Sequence, residues 1–225
     1  MNLLALETST RRLSVALWRD GELMVREADS MSGGSALVLP WVDELLAEAG
    51  ISRRALDGIA FGAGPGSFTG LRLACGVAQG LAFGLDLPTV GVTTLEALVL
   101  ASGESRVFAC MDARMNEVYF AAYEVADGRL TEVGAPRVAP PQQVELPAGE
   151  GWIGCGDGFA AYRDALPQLP RIRDDVFPTA AAVAALAAPR FARGEGQGAA
   201  DAQPLYIRDK VAFTTAERLA RGGLR

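Results

Sequence analysis

The strongest constraint on the fold is an order of elements that begins again in the second half of the chain. In the first half, apolar runs at 3–7, 13–18 and 23–27 predict three short strands. Asp20-Gly21, between the last two runs, is a favourable hairpin turn. Helices and strands then alternate, with predicted helices at 35–49 and 73–83, strands at 56–61 and 89–92, and a third helix from Thr93 or Thr94 to residue 100. This order predicts a mixed sheet with helices on its faces.

The second half starts with the same kind of meander. Predicted strands lie at 107–112, 117–125 and 129–133, and Asp127-Gly128 is the turn between the last two. The remaining segments are a proline-rich, irregular stretch at 136–147, a strand at 152–155 and helices at 159–165 and 179–193. Three meandering strands followed by alternating units are typical of each half of the two-lobed actin-like ATPase and ribonuclease H-like α/β architecture, in which helices flank mixed sheets. We therefore expect an N-terminal lobe at 1–102, a smaller C-terminal lobe at 103–204, and a final segment at 205–225 that packs back on the N-terminal lobe.

The most distinctive motif is GPGSFTGLR at 64–72, which lies between a buried strand and a helix. Glycines let the backbone approach an anion closely, and the free N–H groups at the start of a helix point towards it. With the polar turn after the first strand, the motif predicts a phosphate or nucleotide loop formed by Thr8, Ser9, Gly64, Gly66, Ser67 and Thr69. The alternative is a tight corner without a ligand, in which Ser67 or Thr69 caps the helix. The motif is not a P-loop, since no lysine follows the glycines, and the glycine spacing is too wide for a dinucleotide fingerprint.

The corresponding turn of the second half carries different chemistry. A second phosphate loop would have glycines and hydroxyl groups after the first strand of that half. The chain has Asp112, Ala113 and Arg114 there, and the Asp112 carboxylate would repel a phosphate. We expect a structural pair between Asp112 and Arg114 rather than a catalytic site. In the first half, Glu7 is the carboxylate that could position Mg²⁺ if the chain were an ATPase.

Composition excludes several kinds of site. The 225 residues include no histidine, which excludes Ser–His–Asp and Cys–His catalysis and the histidine-based metal motifs. Cys75, Cys110 and Cys155 are far apart and form no C-x-x-C pair, so we expect neither disulfides nor a zinc site. A net charge of −6 argues against binding nucleic acid alone. The N-terminus lacks the basic region of a signal peptide and we expect no membrane-spanning run, so we predict a cytoplasmic protein.

Two predicted helices of the first half carry features of a contact surface. The second has Gly76, Gly80 and Gly84 at intervals of four, although a glycine inside a helix costs about 1 kcal/mol relative to alanine. Such a stripe indicates that another backbone comes close, either that of the chain's own sheet or that of another subunit. The first helix has an unusually broad apolar surface. We expect a partner or dimer interface formed by Leu37, Trp41, Leu45, Gly76 and Gly80.

Several segments together resemble one known family over nearly the whole chain. The opening LALETS at 4–9 is similar to the first strand of that family, and GPGSFTGLR at 64–72 to its most distinctive loop. PTVGV at 88–92, the residues from Asp112 to Tyr119, and PLYIR at 204–208 resemble further segments of it. The family is TsaB, also called YeaZ, of bacterial tRNA threonylcarbamoyladenosine biosynthesis.

The resemblance implies a non-catalytic partner of the paralogous enzyme TsaD, which transfers threonylcarbamoyl to the adenosine beside the tRNA anticodon. It also implies that the first two helices bind TsaD, and that the isolated chain forms a homodimer through the same surface. The ATPase TsaE is expected to join the assembly, and tRNA is expected to be reached only through the complex. Many members have a histidine where this chain has Gly34, before Ser35. This departure and the Asp112 turn argue against metal catalysis and against tight ATP binding by the chain alone, and we expect no required cofactor. They leave open ATP or ADP that binds weakly, or only at the interface with the partner.

Two other functions stay open at this point. A small actin-like ATPase or kinase would use Glu7 for Mg²⁺, but it would lack the second phosphate loop. A glycoprotease would need a nucleophile and a base, and the absence of histidine argues against that pair. The function that the sequence favours is a scaffold that stabilises TsaD for tRNA modification.

Overall fold

The computed structural model describes residues 1–29 and 34–208, and these described residues form ten strands and five α-helices. The strands are β1 (Asn2–Glu7), β2 (Arg12–Arg19), β3 (Glu22–Asp29), β4 (Gly58–Gly64), β5 (Thr89–Thr93), β6 (Arg106–Asp112), β7 (Val118–Ala126), β8 (Arg129–Ala139), β9 (Ile153–Cys155) and β10 (Ile172–Arg173). The helices are α1 (Ser35–Glu48), α2 (Phe68–Leu85), α3 (Thr94–Ser102), α4 (Gly158–Ala161) and α5 (Ala180–Ala192).

Both halves of the chain build a five-stranded sheet with the same topology. The strand order is β3-β2-β1-β4-β5 in the first sheet and β8-β7-β6-β9-β10 in the second. In each sheet the first three strands are antiparallel neighbours, and the fourth strand pairs in parallel with the first. The fifth strand pairs in parallel with the fourth. This repetition confirms the two-lobed, mixed α/β architecture that the order of elements predicts.

Side-chain caps set where the helices begin. The Ser67 hydroxyl accepts a hydrogen bond from the Gly70 N–H, so Ser67 rather than Thr69 is the N-cap of α2. Helix α3 begins with a capping box, in which the Thr93 hydroxyl accepts from the Glu96 N–H and the Glu96 carboxylate accepts from the Thr93 N–H. Thr93, not Thr94, is therefore the cap of α3.

The first sheet is covered on both faces. Helices α1 and α2 share one apolar core with β1, β2 and β4, which includes Leu4, Leu6 and Phe61. Helix α5 packs on the other face, where its alanines meet Ala5, Ala16 and Ala60. This differs from the prediction of a C-terminal lobe at 103–204, because α5 lies on the first sheet. A run of small side chains such as that of α5 fits the alanine-lined face of this sheet, and the order of elements alone does not assign a helix to a sheet.

The second sheet extends further than the sequence predicts. Strand β8 runs through Pro136 to Ala139, where the proline-rich pattern indicates irregular chain. Proline is tolerated there because β8 is an edge strand and its register with β7 shifts between Phe120 and Ala122. Helix α3 lies between the two sheets. Ala97 packs with α5 on the first sheet, and Leu95, Leu98 and Val99 pack on the second sheet.

The chain after α5 returns across both sheets. We call residues 202–208 the closing segment. The Leu205 N–H donates to the Ala63 carbonyl at 2.7 Å, which attaches the segment to the end of β4. Arg208 pairs with Glu117 and lies over the ring of Tyr119, so the same segment contacts the second sheet. Of the predicted final segment 205–225, residues 209–225 lie outside the described part of the chain.

Candidate functional site

The glycine-rich motif packs against the turn that follows β1. A Cβ atom on Gly70 would lie 1.9 Å from the Thr8 carbonyl oxygen, and one on Gly66 would lie 2.7 Å from the Ser9 side chain. The Ser67 N–H donates to the Ser9 carbonyl at 2.7 Å, and the Thr8 hydroxyl donates to the Gly70 carbonyl at 2.6 Å. We call this contact the glycine junction. It brings the predicted loop residues together, and it accounts for two of the glycines by close packing of the chain on itself.

Other members of the predicted phosphate loop lie at the border of this junction. Gly64 has a φ of 125° and sits so close to the closing segment that a Cβ would lie 2.6 Å from the Leu205 carbonyl oxygen. Thr69 is exposed in the first turn of α2. The geometry therefore fits the alternative of a tight corner, and a nucleotide at this loop stays a prediction.

Glu7 is fully buried at the end of β1. One carboxylate oxygen accepts a hydrogen bond from the Ser9 N–H at 2.6 Å, and the other lies against Gly62, where a Cβ would come within 2.0 Å of it. That second oxygen has no hydrogen-bond partner among the described residues. Burial raises the pKa of Glu7, although the hydrogen bonds from Ser9 oppose this shift. An enclosed carboxyl group of this kind is poorly placed for the Mg²⁺ role that an ATPase would require.

The turn after β6 is held by an ion pair, as the sequence predicts. Arg114 Nη1 lies 2.9 Å from Asp112 Oδ2, and the Arg114 N–H donates to Asp112 Oδ1 at 2.7 Å. The Tyr162 hydroxyl also donates to Asp112, at 3.2 Å. Asp157 accepts from the Asp112 N–H, and burial raises its pKa. These contacts confirm the structural Asp112–Arg114 pair.

The described residues offer little for nucleophilic or metal chemistry. All three cysteines are buried and free, and burial raises the pKa of Cys155 to about 11. Burial also raises the pKa of the thiols of Cys75 and Cys110. Within residues 1–29 and 34–208, no three acidic, cysteine or histidine side chains lie close enough together to hold a metal ion.

Helix α2 turns its glycine stripe away from the chain's own sheet. Leu71, Ala74, Cys75, Ala78 and Ala82 face the core, whereas Gly76, Gly80 and Gly84 lie on the opposite, exposed side. A Cβ atom built on any of the three glycines would meet nothing within 4 Å. Packing on the chain's own sheet therefore does not explain the stripe.

Helix α1 contributes part of the predicted interface. Leu37 is exposed and Trp41 is half-buried at the edge of the core. Leu45 is fully buried against the first sheet, so its predicted place on the contact surface is wrong. Helical spacing groups Leu45 with Trp41, but residues four positions apart differ by about 40° around a helix. That angle is enough to turn the Leu45 side chain from the edge of the core towards the first sheet.

Sequence reasoning missed two exposed residues on these helices. Phe83 on α2 is 83% exposed, and Leu39 on α1 is 48% exposed. Phe83 is seven residues after Gly76, which places it on the same helix face; that spacing could have identified it. Leu39 is two residues before Trp41 and therefore lies about 200° from it around α1, on another side of the helix. We call Leu37, Trp41, Gly76, Gly80 and Phe83 the α1–α2 surface.

Helix α2 is also long and apolar enough, by length and composition, to cross a membrane. It has 18 residues and a mean hydropathy of 1.3, contrary to the expectation that no run reaches this length. Its buried side nevertheless packs in the core with β4 and α1. One face of the helix thus packs in the core, and the exposed face is also largely apolar because it carries the glycines and Phe83.

Comparisons with known proteins identify relatives of this chain. The family model described as "TsaD: tRNA N6-adenosine threonylcarbamoyltransferase" matches residues 34–212. The tRNA threonylcarbamoyladenosine biosynthesis protein TsaB of Escherichia coli (strain K12) is 35% identical over 226 residues, which cover 95% of this chain and 97% of that protein.

Two further comparisons concern a solved structure and a transferase. The solved structure of YeaZ from Pseudomonas aeruginosa has a TM-score of 0.87 at 40% identity, over 91% of this chain and 99% of its own. The tRNA N6-adenosine threonylcarbamoyltransferase of Nitratidesulfovibrio vulgaris (strain DP4) is 38% identical over 119 residues, covering 46% of this chain and 33% of that enzyme. The alignment with the biosynthesis protein thus covers nearly the whole chain, and the alignment with this transferase covers less than half of it.

Proposed function

The chain belongs to the TsaB (YeaZ) family of tRNA threonylcarbamoyladenosine biosynthesis proteins, and we propose that it is a non-catalytic partner that stabilises TsaD for tRNA modification. Relatives that cover the whole chain are named for this pathway, which supports a role in tRNA modification. TsaE joins the same assembly, and the isolated chain forms a homodimer. No cofactor is needed for this role, and a nucleotide, if bound, lies at the interface with the partner.

The observation that carries the proposal is the α1–α2 surface. Its glycines leave the backbone of α2 open, Phe83 and Leu37 are exposed, Trp41 is half-buried, and Arg72 is the only charged residue within α2. Aromatic anchors with few charges are typical of the centre of a protein interface. Small residues in a stripe let a partner helix approach closely. An interface of standard size, roughly 800 Å² on each side, would cover this surface.

The proposal that the chain is non-catalytic is supported by the residues of the candidate site. The described residues offer no exposed or activated thiol, and the chain has no histidine to act as a base. The carboxyl group of Glu7 is enclosed by the backbone of Gly62. These features support a scaffold over an ATPase or a glycoprotease. The acidic net charge of −6 supports indirect contact with tRNA, mainly through more basic partners.

Gly80→Leu tests the interface directly. The new side chain points into open space, so the variant folds, but it blocks the approach of a partner helix. We expect its affinity for TsaD, measured by calorimetric titration, to fall at least tenfold, the effect of one severe clash at an interface centre. Ala185→Leu is the matched control, because Ala185 is exposed on α5, on the opposite face of the first sheet.

Threonylcarbamoylation of tRNA is then reconstituted with TsaD, TsaE and the TsaC-type synthetase that makes the threonylcarbamoyl adenylate. The yield of modified tRNA shows whether the loss of affinity lowers activity. Product should form with the wild-type chain and with Ala185→Leu, and it should decline with Gly80→Leu. Equal affinity of Gly80→Leu and wild type for TsaD would refute the α1–α2 surface as the interface. Equal product with and without the chain would refute the scaffold role.

A further inference from the structure

Two motifs that the scaffold role does not use meet on the surface of the protein. Phe68 and Arg72 belong to the glycine-rich motif, and Tyr206 belongs to the closing segment, 134 residues after Arg72. The guanidinium carbon of Arg72 lies 3.9 Å from the centre of the Phe68 ring. The Phe68 and Tyr206 ring centres are 6.3 Å apart, and Arg72 Nε donates to the Tyr206 hydroxyl at 3.4 Å. We call these three residues the aromatic–arginine cluster.

The cluster is exposed although its members contact one another. Phe68 is 48% exposed and Tyr206 is 46% exposed, so each ring keeps much of its surface open. Arg72 is exposed as well, and it forms no ion pair with a carboxylate among the described residues. Arg72 lies over the Phe68 ring and donates through Nε to Tyr206, and its two terminal nitrogens donate to no residue of the described chain.

The exposure of Tyr206 is not explained by a role in attaching the closing segment to the rest of the protein. The segment is attached on either side of Tyr206, by the Leu205 N–H to Ala63 and by Arg208 to Glu117. The Ala202 carbonyl also accepts from the Gln79 side chain at 2.8 Å. These anchors hold the segment without Tyr206, whose ring stays exposed beside Phe68 and the guanidinium of Arg72.

We propose that the aromatic–arginine cluster is a contact site for an unpaired RNA nucleotide, with a base stacked on the rings of Phe68 and Tyr206 and a backbone phosphate bound by Arg72. Exposed aromatic rings and guanidinium planes are the surfaces on which proteins stack single-stranded bases. The planar guanidinium donates two parallel hydrogen bonds to a phosphate. No other feature of the cluster selects a particular base, so stacking without sequence preference is expected.

This inference rests on the proposed function, because a chain of net charge −6 has too little positive surface to collect RNA by itself. The complex with TsaD brings the tRNA, and the cluster adds one local contact once the RNA is there. The cluster adjoins the α1–α2 surface, because Arg72 lies one helical turn before Gly76, but Phe68 and Tyr206 lie at the N-terminal end of α2 and Phe83 lies near its C-terminal end.

The test uses the reconstituted complex of the full chain with TsaD and TsaE, and transcribed tRNA without the modification. We expect Tyr206→Leu to weaken tRNA binding by about fivefold or more, and Tyr206→Phe to retain wild-type affinity because the stacking face remains. Arg72→Gln should weaken binding and lower the slope of log Kd against log salt by about one phosphate contact. Ile172→Ala, an exposed apolar residue on the second sheet, is the control that should change nothing.

Affinity for TsaD, measured on the same variants without RNA, separates the two proposals. Loss of tRNA affinity with unchanged TsaD affinity supports the RNA contact. Equal tRNA affinity of the wild-type and Tyr206→Leu complexes overturns it, even where the interface proposal holds. A photo-crosslinking residue placed at 206 should label the tRNA, and labelling of TsaD alone would identify the cluster as a protein contact and overturn the inference.

Discussion

Glu7 illustrates how strongly one position can depend on its surroundings in this fold. It ends β1, where its neighbours in sequence are polar and suggest a ligand site. In the structure its carboxyl group is fully buried between the Ser9 N–H and the backbone of Gly62. A bulkier residue at 62 would occupy the space of the carboxyl group. Glu7 therefore acts as a packed core residue that has kept an ionisable group.

The burial of Glu7 predicts a pH dependence of stability. Its pKa is raised in the folded state, so the folded protein retains a proton that the unfolded chain has already lost. The free energy of unfolding should therefore be highest below the unfolded pKa and fall as the pH rises towards the folded pKa. Glu7→Gln cannot ionise, so its denaturation midpoint should rise relative to that of the wild type as the pH increases above the ordinary pKa of a glutamate.

Denaturant unfolding at several pH values measures this difference. Glu22→Gln is the control, because Glu22 is an exposed glutamate on β3. A gap between Glu7→Gln and wild type that stays constant with pH would contradict the explanation by burial.

At the scale of the elements, α2 uses glycine in two opposite ways. Gly66 and Gly70, at its start, leave room for the backbone of Thr8 and Ser9. Gly76 and Gly80, in its middle, leave an open surface. The same residue type thus serves a contact within the chain at one end, and we propose that it serves a contact between chains further along.

This contrast predicts opposite effects of the same substitution. Gly70→Ala places a Cβ atom 1.9 Å from the Thr8 carbonyl oxygen and should lower the free energy of unfolding by about 1–3 kcal/mol. Gly76→Ala meets nothing and should raise it by up to about 1 kcal/mol, since alanine favours the helix. Thermal unfolding of the two variants side by side provides the measurement. Equal changes in the free energy of unfolding for both substitutions would show that the glycine junction does not require a glycine at position 70.

At the scale of the whole molecule, the closing segment connects the two sheets. Leu205 is attached to β4, and three residues later Arg208 pairs with Glu117, donates to the Arg114 carbonyl and covers the Tyr119 ring. Helix α3, between the sheets, contributes apolar contacts to both. The segment and the helix together fix how the two halves are joined.

Arg208→Ala tests the contribution of this connection. The arginine side chain is 11% exposed, and its removal leaves Glu117 without the partner that its carboxylate has in the structure. We expect a loss of about 2 kcal/mol in the free energy of unfolding. Arg53→Ala, which breaks an exposed pair with Asp43, should cost less than about 1 kcal/mol. Similar losses for the two variants would mean that Arg208 is no more than a surface charge.

Much of the fold follows from local patterns. The apolar runs, the Asp20-Gly21 and Asp127-Gly128 turns and the capping residues identify most strands and helices of both sheets. They act between neighbours in sequence, and so a sequence without a structure reveals them. The ion pair of Asp112 with Arg114, two residues apart, is predictable for the same reason.

The sequence by itself determined the repeated order of elements and, by its lack of histidine, the exclusion of several catalytic mechanisms. Only the tertiary structure decided that α5 covers the first sheet, that Leu45 points inward while Gly76 and Gly80 point outward, and that Tyr206 meets Phe68. Periodicity tells which residues share a face of an element. It does not tell what that face meets, because the answer depends on packing between segments that are far apart along the chain.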